Sequence, residues 1–216
     1  MRDLYPGYDV LSKRDTPSWN DQTRAVIDQR LGIDPDAHAF FSDTEWPILR
    51  ALCERIVPQP AGRACPIPVA AMVDQKIHEN EGDGYRDAAL PSMAEAWQRG
   101  LAALDAEALS AHGRRFHELG TQQQDDLLKL MQEGNLRHAA WGGMAAKSFF
   151  KQRALNDIVK AYYSHPSAWN EIGWGGPASP RGYVRMDFDR RDPWEAAEAK
   201  RGGEQAAYRE NRRVGR

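Results

Sequence analysis

Apolar side chains in this chain recur every three or four residues, and no stretch shows the strict alternation of a half-buried strand. That period lines one face of a helix, whereas a strand needs a period of two. The best-defined case follows Ser42-Asp-Thr-Glu45, a capping-box pattern. In such a box the hydroxyl takes one orphan amide and the carboxylate reaches back for another. Trp46, Leu49, Leu52, Cys53 and Ile56 then share a side until Val57-Pro58-Gln59-Pro60 ends the run.

The same reading places further helices. Asn20 caps one that runs to about Leu31, where Gly32 stops it. Val69, Met72, Val73 and Ile77 form a stripe broken by Gly82-Asp83-Gly84, and Met93, Trp97, Leu101, Leu104 and Ala108 mark a longer helix from about Pro91. Thr121-x-x-Gln124 reads as a second capping box, opening a helix with Leu127, Leu128, Leu130 and Met131. The last strong helix runs from about Gly143 to Ser164, with Phe150, Ala154, Ile158 and Tyr162 on one face. The expected fold is all-α, a compact bundle of five or six helices. Residues 1–20 read as an extended arm, 21–183 as the helical domain and 184–216 as a charged tail. Asp192-Pro-Trp-Glu195 would start one short helix that Gly202-Gly203 interrupts, and residues beyond about Lys200 are expected to be mobile.

Charge and motif exclude several classes of function. Net charge is −2, with no general pull toward nucleic acid or anionic lipid. From Arg181 to Arg216 basic residues outnumber acidic ones ten to seven, a mixture too mixed in sign for a nucleic-acid arm. His112, His117 and His138 are the candidate metal ligands of a stand-alone helical enzyme. However, His117-Glu-Leu-Gly-Thr121 is not H-E-x-x-H, and His112 and His117 would point ~140° apart on a helix. The bland reading is solvated or capping histidines. Cys53 lies on an apolar stripe, where a thiol is inert, and Cys65 sits in a Pro-rich loop with no histidine beside it in sequence. Gly142-Gly143 at a helix start offers an anion little beyond an ordinary junction. No catalytic, cofactor-binding or metal-binding residue is assigned.

One segment is unusual. Trp169 to Tyr183 holds four Gly, two Pro and three large aromatics, a composition incompatible with regular helix. Two readings, which can hold together, are a surface loop whose Trp169, Trp174 and Tyr183 dock on a partner, and a loop folded back with its aromatics plugging the core.

Several pieces in order resemble the small subunit (subunit 3, or gamma) of gluconate 2-dehydrogenase and related flavoprotein dehydrogenases. They are Phe41-Ser-Asp-Thr-Glu-Trp-Pro-Ile-Leu-Arg-Ala-Leu-Cys-Glu-Arg-Ile-Val-Pro58, Gly100-Leu-Ala-Ala-Leu-Asp105, Phe116-His-Glu-Leu119, Thr121-Gln-Gln-Gln-Asp-Asp-Leu-Leu128, Tyr162-Tyr-Ser-His-Pro166 and Gly173-Trp-Gly-Gly-Pro177. The resemblance covers about Phe41 to Tyr183. It implies a helical, non-catalytic accessory subunit that binds and helps mature or stabilise an FAD-dependent dehydrogenase of the glucose–methanol–choline (GMC) type acting on sugars or sugar acids. A cytochrome c with haem c often completes such complexes. A transient chaperone of the flavoprotein is the other role of this kind. The candidate docking residues are Tyr163, His165, Pro166, Trp169, Trp174, Gly175, Gly176, Pro177 and Tyr183. Many members of the family begin with a twin-arginine export signal, whereas here Lys13-Arg14 precedes Asp-Thr-Pro rather than an apolar run. The expected compartment is the cytoplasm, or the periplasm if a partner carries the signal.

Overall fold

The structure is a computed structural model that describes residues 3–63, 65–82, 84, 87–178, 182, 185–188 and 190–214. Among these, every regular element is a helix. In chain order they are α1 (Asp21–Leu31), α2 (Trp46–Ile56), α3 (Val69–His78), α4 (Met93–His112), α5 (Thr121–Glu133), α6, α7 (Pro166–Ile172) and α8 (Glu204–Asn211). Helix α6 runs as Ala146–Phe149, a π turn Phe150–Ala154, and Leu155–Ser164. The all-α fold is the one the apolar period predicts. None of these helices is long and apolar enough to cross a membrane.

The chain divides into a central unit, Asp34–Tyr162, and a terminal unit made of Met1–Ile33 and Tyr163–Arg216. Composition drew the boundaries at 20 and 183 instead. They move because both chain ends contribute buried residues to the terminal unit: Tyr8, Val10 and Trp19 share a core cluster with Ile27, Trp169 and Val214. The expected extended arm therefore holds a 3₁₀ turn, Val10–Lys13, and buried aromatics. The tail likewise contains α8, whose buried Asn211 accepts from the Ala197 amide and donates to the carbonyls of Ala197 and Pro6. Asp192-Pro-Trp-Glu195 forms a turn and no helix: the Glu195 amide reaches the Asp192 carbonyl, while the Asp192 carboxylate accepts from the Met186 amide.

In the central unit α4 is the spine. The Ser92 hydroxyl caps it by accepting from the Glu95 amide at 3.3 Å, and Gly113 ends it in the left-handed conformation. Trp97, Leu101, Leu104 and Ala108 are fully buried along it. The Trp97 indole meets Phe149 edge-on with centroids 5.5 Å apart, and Phe149 covers Gly100. Phe149 and Phe150, where the π turn begins, are both buried.

Both capping boxes differ from expectation. Glu45 Oε2 accepts from the Ser42 amide at 3.0 Å, but the Ser42 hydroxyl donates to the same carboxylate at 2.7 Å and caps no helix amide. Thr121 is the first residue of α5, so the box shifts by one: Gln123 Oε1 accepts from the Gly120 amide at 3.3 Å. Gln124 is buried and donates to the Phe116 carbonyl in the preceding turn, which takes it out of any capping role.

Two buried carboxylates tie the unit together. Asp74 on α3 accepts from the amides of Ala39, Phe40 and Phe41, at 2.7, 3.1 and 2.9 Å. Asp157 on α6, with no side-chain exposure, accepts from Lys76 Nζ at 2.8 Å and from Trp97 Nε1 at 2.8 Å, with Arg153 Nε at 3.4 Å.

Two outcomes are expected in urea unfolding. Asp157→Ala leaves Lys76, Arg153 and a buried indole N–H without their acceptor, and should cost about 3–5 kcal/mol. Gly100→Ala gains up to about 1 kcal/mol of helix propensity. Its methyl would lie 2.3 Å from the Phe149 ring. Overpacking of about 1–3 kcal/mol decides the sign, so the variant should be less stable than the parent.

Candidate partner-docking site

The terminal unit carries the Gly- and aromatic-rich segment. Its first part is helical, contrary to expectation for residues 169–172. Pro166 occupies the first turn of α7, where a missing N–H costs nothing, and His165 Nδ1 caps the helix by accepting from the Ser167 amide at 3.3 Å. Gly173 closes α7 in the left-handed conformation, its amide on the Trp169 carbonyl.

From there the segment splits into a buried and an exposed half. Trp169 is buried, and its Nε1 donates to the Tyr163 carbonyl at 2.7 Å. Trp174 packs edge-on against it, centroids 4.6 Å apart and planes at 84°, yet keeps 38% of its surface exposed. Gly176 has φ +70°, and a Cβ there would lie 3.0 Å from Trp19 and 3.2 Å from Trp169. The chain crosses the two indoles only because this residue has no side chain. His165 and Pro166 are buried, Gly175 and Pro177 are half-buried, and Tyr163 is 44% exposed. Tyr183 lies outside the described residues. Core plug and surface are thus both realised, by different residues.

Sequence reasoning missed what holds the loop. Lys13 is wholly buried, donates from Nζ to the Gly175 carbonyl at 3.3 Å and lies 5.7 Å from the Tyr8 ring centroid. The Tyr8 hydroxyl reaches the Trp174 carbonyl at 3.5 Å, and the Val10 amide donates to Asn170 Oδ1 at 2.8 Å. Three large aromatics among residues 5–19 (Tyr5, Tyr8, Trp19) were the available signal. It also missed Met186 and Phe188, exposed by 78% and 100% on a loop pinned by the buried Asp192. A cleft of about 450 Å³ in the same unit is walled by Tyr5, Trp174, Trp194, Arg185, Arg191 and Glu195. Arg185 is paired with Glu195 at 3.0 Å, and Arg191 with Glu210. The arrangement offers aromatic faces and mutually neutralised charges, a surface suited to packing against protein.

The other candidates are dispersed. His112 ends α4, within 3.5 Å of Gln123 Nε2. His117 lies in the 3₁₀ turn Phe116–Glu118, and His138 Nδ1 accepts from the Ala140 amide. They are not brought together, and among the described residues no three His, Cys, Asp or Glu side chains are grouped to hold a metal ion. Cys53 is buried, which pushes its thiol pKa far up and keeps it protonated, while Cys65 is exposed. Gly142 and Gly143 both adopt positive φ, and α6 begins only at Ala146.

Comparison with known proteins bears on this site. A family model described as gluconate 2-dehydrogenase subunit 3 matches residues 43–176, more than half of the chain and within the Phe41–Tyr183 stretch that carries the resemblance. No curated protein and no solved structure gives a match. The chain belongs to the gluconate 2-dehydrogenase subunit 3 family.

Proposed function

We propose that this chain is the non-catalytic accessory subunit of a GMC-type dehydrogenase acting on sugars or sugar acids, which it binds and helps to mature or stabilise. FAD belongs to the large partner subunit, and haem c to a cytochrome that completes the complex. Family membership carries this reading. The terminal unit supports it with a set of exposed apolar side chains, Tyr163, Ile172, Trp174, Met186 and Phe188. Burying one such side chain is worth about 1.5–3 kcal/mol, so three or four of them could anchor an interface.

Copurification tests the reading. A tagged chain expressed with its native partners should bring down a yellow flavoprotein at a one-to-one ratio; elution alone would overturn it. Phe188→Ala and Trp174→Ala should each weaken the complex by about 2 kcal/mol, roughly thirtyfold in Kd by titration calorimetry. Phe188→Ala should leave the melting temperature of the isolated chain unchanged, since the ring touches only solvent. Trp169→Ala is the contrasting control. It empties a site that is 1% exposed and should cost about 3–5 kcal/mol of folding stability.

A further inference from the structure

In the central unit, the approach to α2 carries His38 with both ring nitrogens against oxygen acceptors. Nδ1 lies 3.2 Å from the Asp36 carbonyl oxygen, and Nε2 lies 3.1 Å from Asp43 Oδ1. A carbonyl only accepts, as does an ionised carboxylate. A neutral imidazole has one N–H and satisfies one of these oxygens, whereas an imidazolium satisfies both. The ring also lies flat on the Trp46 indole, centroids 4.6 Å apart and planes within 13°. Positive charge over an indole face is favoured. We propose that His38 is a proton-operated clamp: charged, it pins residues 36–43 against the first turn of α2, and neutral, it releases one of its two anchor points.

The surrounding charges define what the clamp can move. From α3, Asp74 holds the amides of Ala39, Phe40 and Phe41 whatever the state of His38. Just before α2, the Glu45 carboxylate is engaged by Ser42. A cation also faces the stretch: Arg50 of α2, which is paired with the Asp36 carboxylate at 3.0 Å. Opening therefore loosens one end of the His38 bridge, while Arg50 keeps Asp36 and Asp74 keeps residues 39–41 in place. The Asp36 carbonyl first, and the Asp43 side chain second, raise the His38 pKa above its ordinary 6.5, with partial burial opposing and the charges of Asp43 and Asp74 adding. Because the folded value is the higher one, the clamp's contribution to stability is complete below about pH 6.5 and disappears as pH rises through the folded value.

A proton NMR titration of the full chain tests this, with Trp46→Phe assigning the Trp46 indole signal. His38 should titrate with a midpoint above 6.5, and the Trp46 indole resonance should move with the same midpoint. Asp43→Asn should lower that midpoint. His38→Gln should abolish the Trp46 titration and flatten the decline of melting temperature over the same pH range. A midpoint at or below 6.5, or a Trp46 signal that ignores the titration, overturns the clamp. Should His38→Gln fail to fold, Asp43→Asn still decides, because the Asp43 side chain is 98% exposed and its removal threatens no packing.

Discussion

Asp157 sits in the central unit with its carboxylate wholly out of water, and that placement dictates the arrangement of its neighbours. Desolvating a carboxylate costs several kcal/mol even after the protein relaxes. The position is tolerable only because donors converge on it from three helices: Lys76 of α3, Trp97 of α4 and Arg153 of α6 itself. Each donor must then sit at one height along its helix. Sliding α4 by a turn would strand the Trp97 N–H as well as the carboxylate. The apolar stripes of α3, α4 and α6 would pack acceptably in several registers, since hydrophobic burial is non-directional. The polar cluster makes one of them the native register, and the edge-on contact of Trp97 with Phe149 fits around it.

The terminal unit solves a different problem with less material. Its core cluster draws Tyr8, Val10 and Trp19 from one end of the chain and Trp169 and Val214 from the other. Closing so long a loop is entropically unfavourable, though the cost grows only slowly with length. Large aromatics offset it because each buries much area. The buried polar groups are satisfied locally: Lys13 is bonded to the Gly175 carbonyl, and the Asn211 amide group donates to the carbonyls of Pro6 and Ala197. The result is a rigid seat beneath Trp174. An exposed anchor held against a buried indole loses little freedom on binding, which is where preorganisation gains affinity.

Most of the helices were legible because each depends on residues within its own length. The α2 and α4 stripes and the Asn20 cap are local and were found where the pattern puts them. What escaped the sequence depends on distant partners. Gln124 looks like a capping residue until the Phe116 carbonyl claims it. Trp169–Ile172 looks irregular because Gly and Pro crowd the stretch after it, but His165 and Pro166 start a helix before the glycines are reached. The N-terminal residues look polar because, of their apolar side chains, only Tyr8, Val10 and Trp19 are buried, with Tyr5 and Leu11 partly so, in a core shared with the other end of the chain. Of the candidate site, the sequence picked out the Trp169–Trp174 pair but not which of the two faces solvent. That choice is made by Trp19 and Gly176, through packing that no local window contains.

The extent of the family match separates two kinds of surface. It ends at Gly176, so Tyr163, Ile172 and Trp174 lie inside it, while Met186 and Phe188 lie outside. A docking feature that belongs to the family as a whole must be built from matched residues, and Trp174, partly exposed against the buried Trp169, is the proposed anchor that meets this condition. Met186 and Phe188 lie beyond the matched stretch, and the Met186 amide is held by the Asp192 carboxylate. Under the proposed function, two anchors of this kind would suit a subunit that recognises a common type of flavoprotein and yet prefers its own, the first giving affinity for the type and the second discrimination between members. The paired arginines beside Trp174, Arg185 with Glu195 and Arg191 with Glu210, fit that proposal, because charges that are already matched neither attract nor repel a partner strongly and leave the choice to shape.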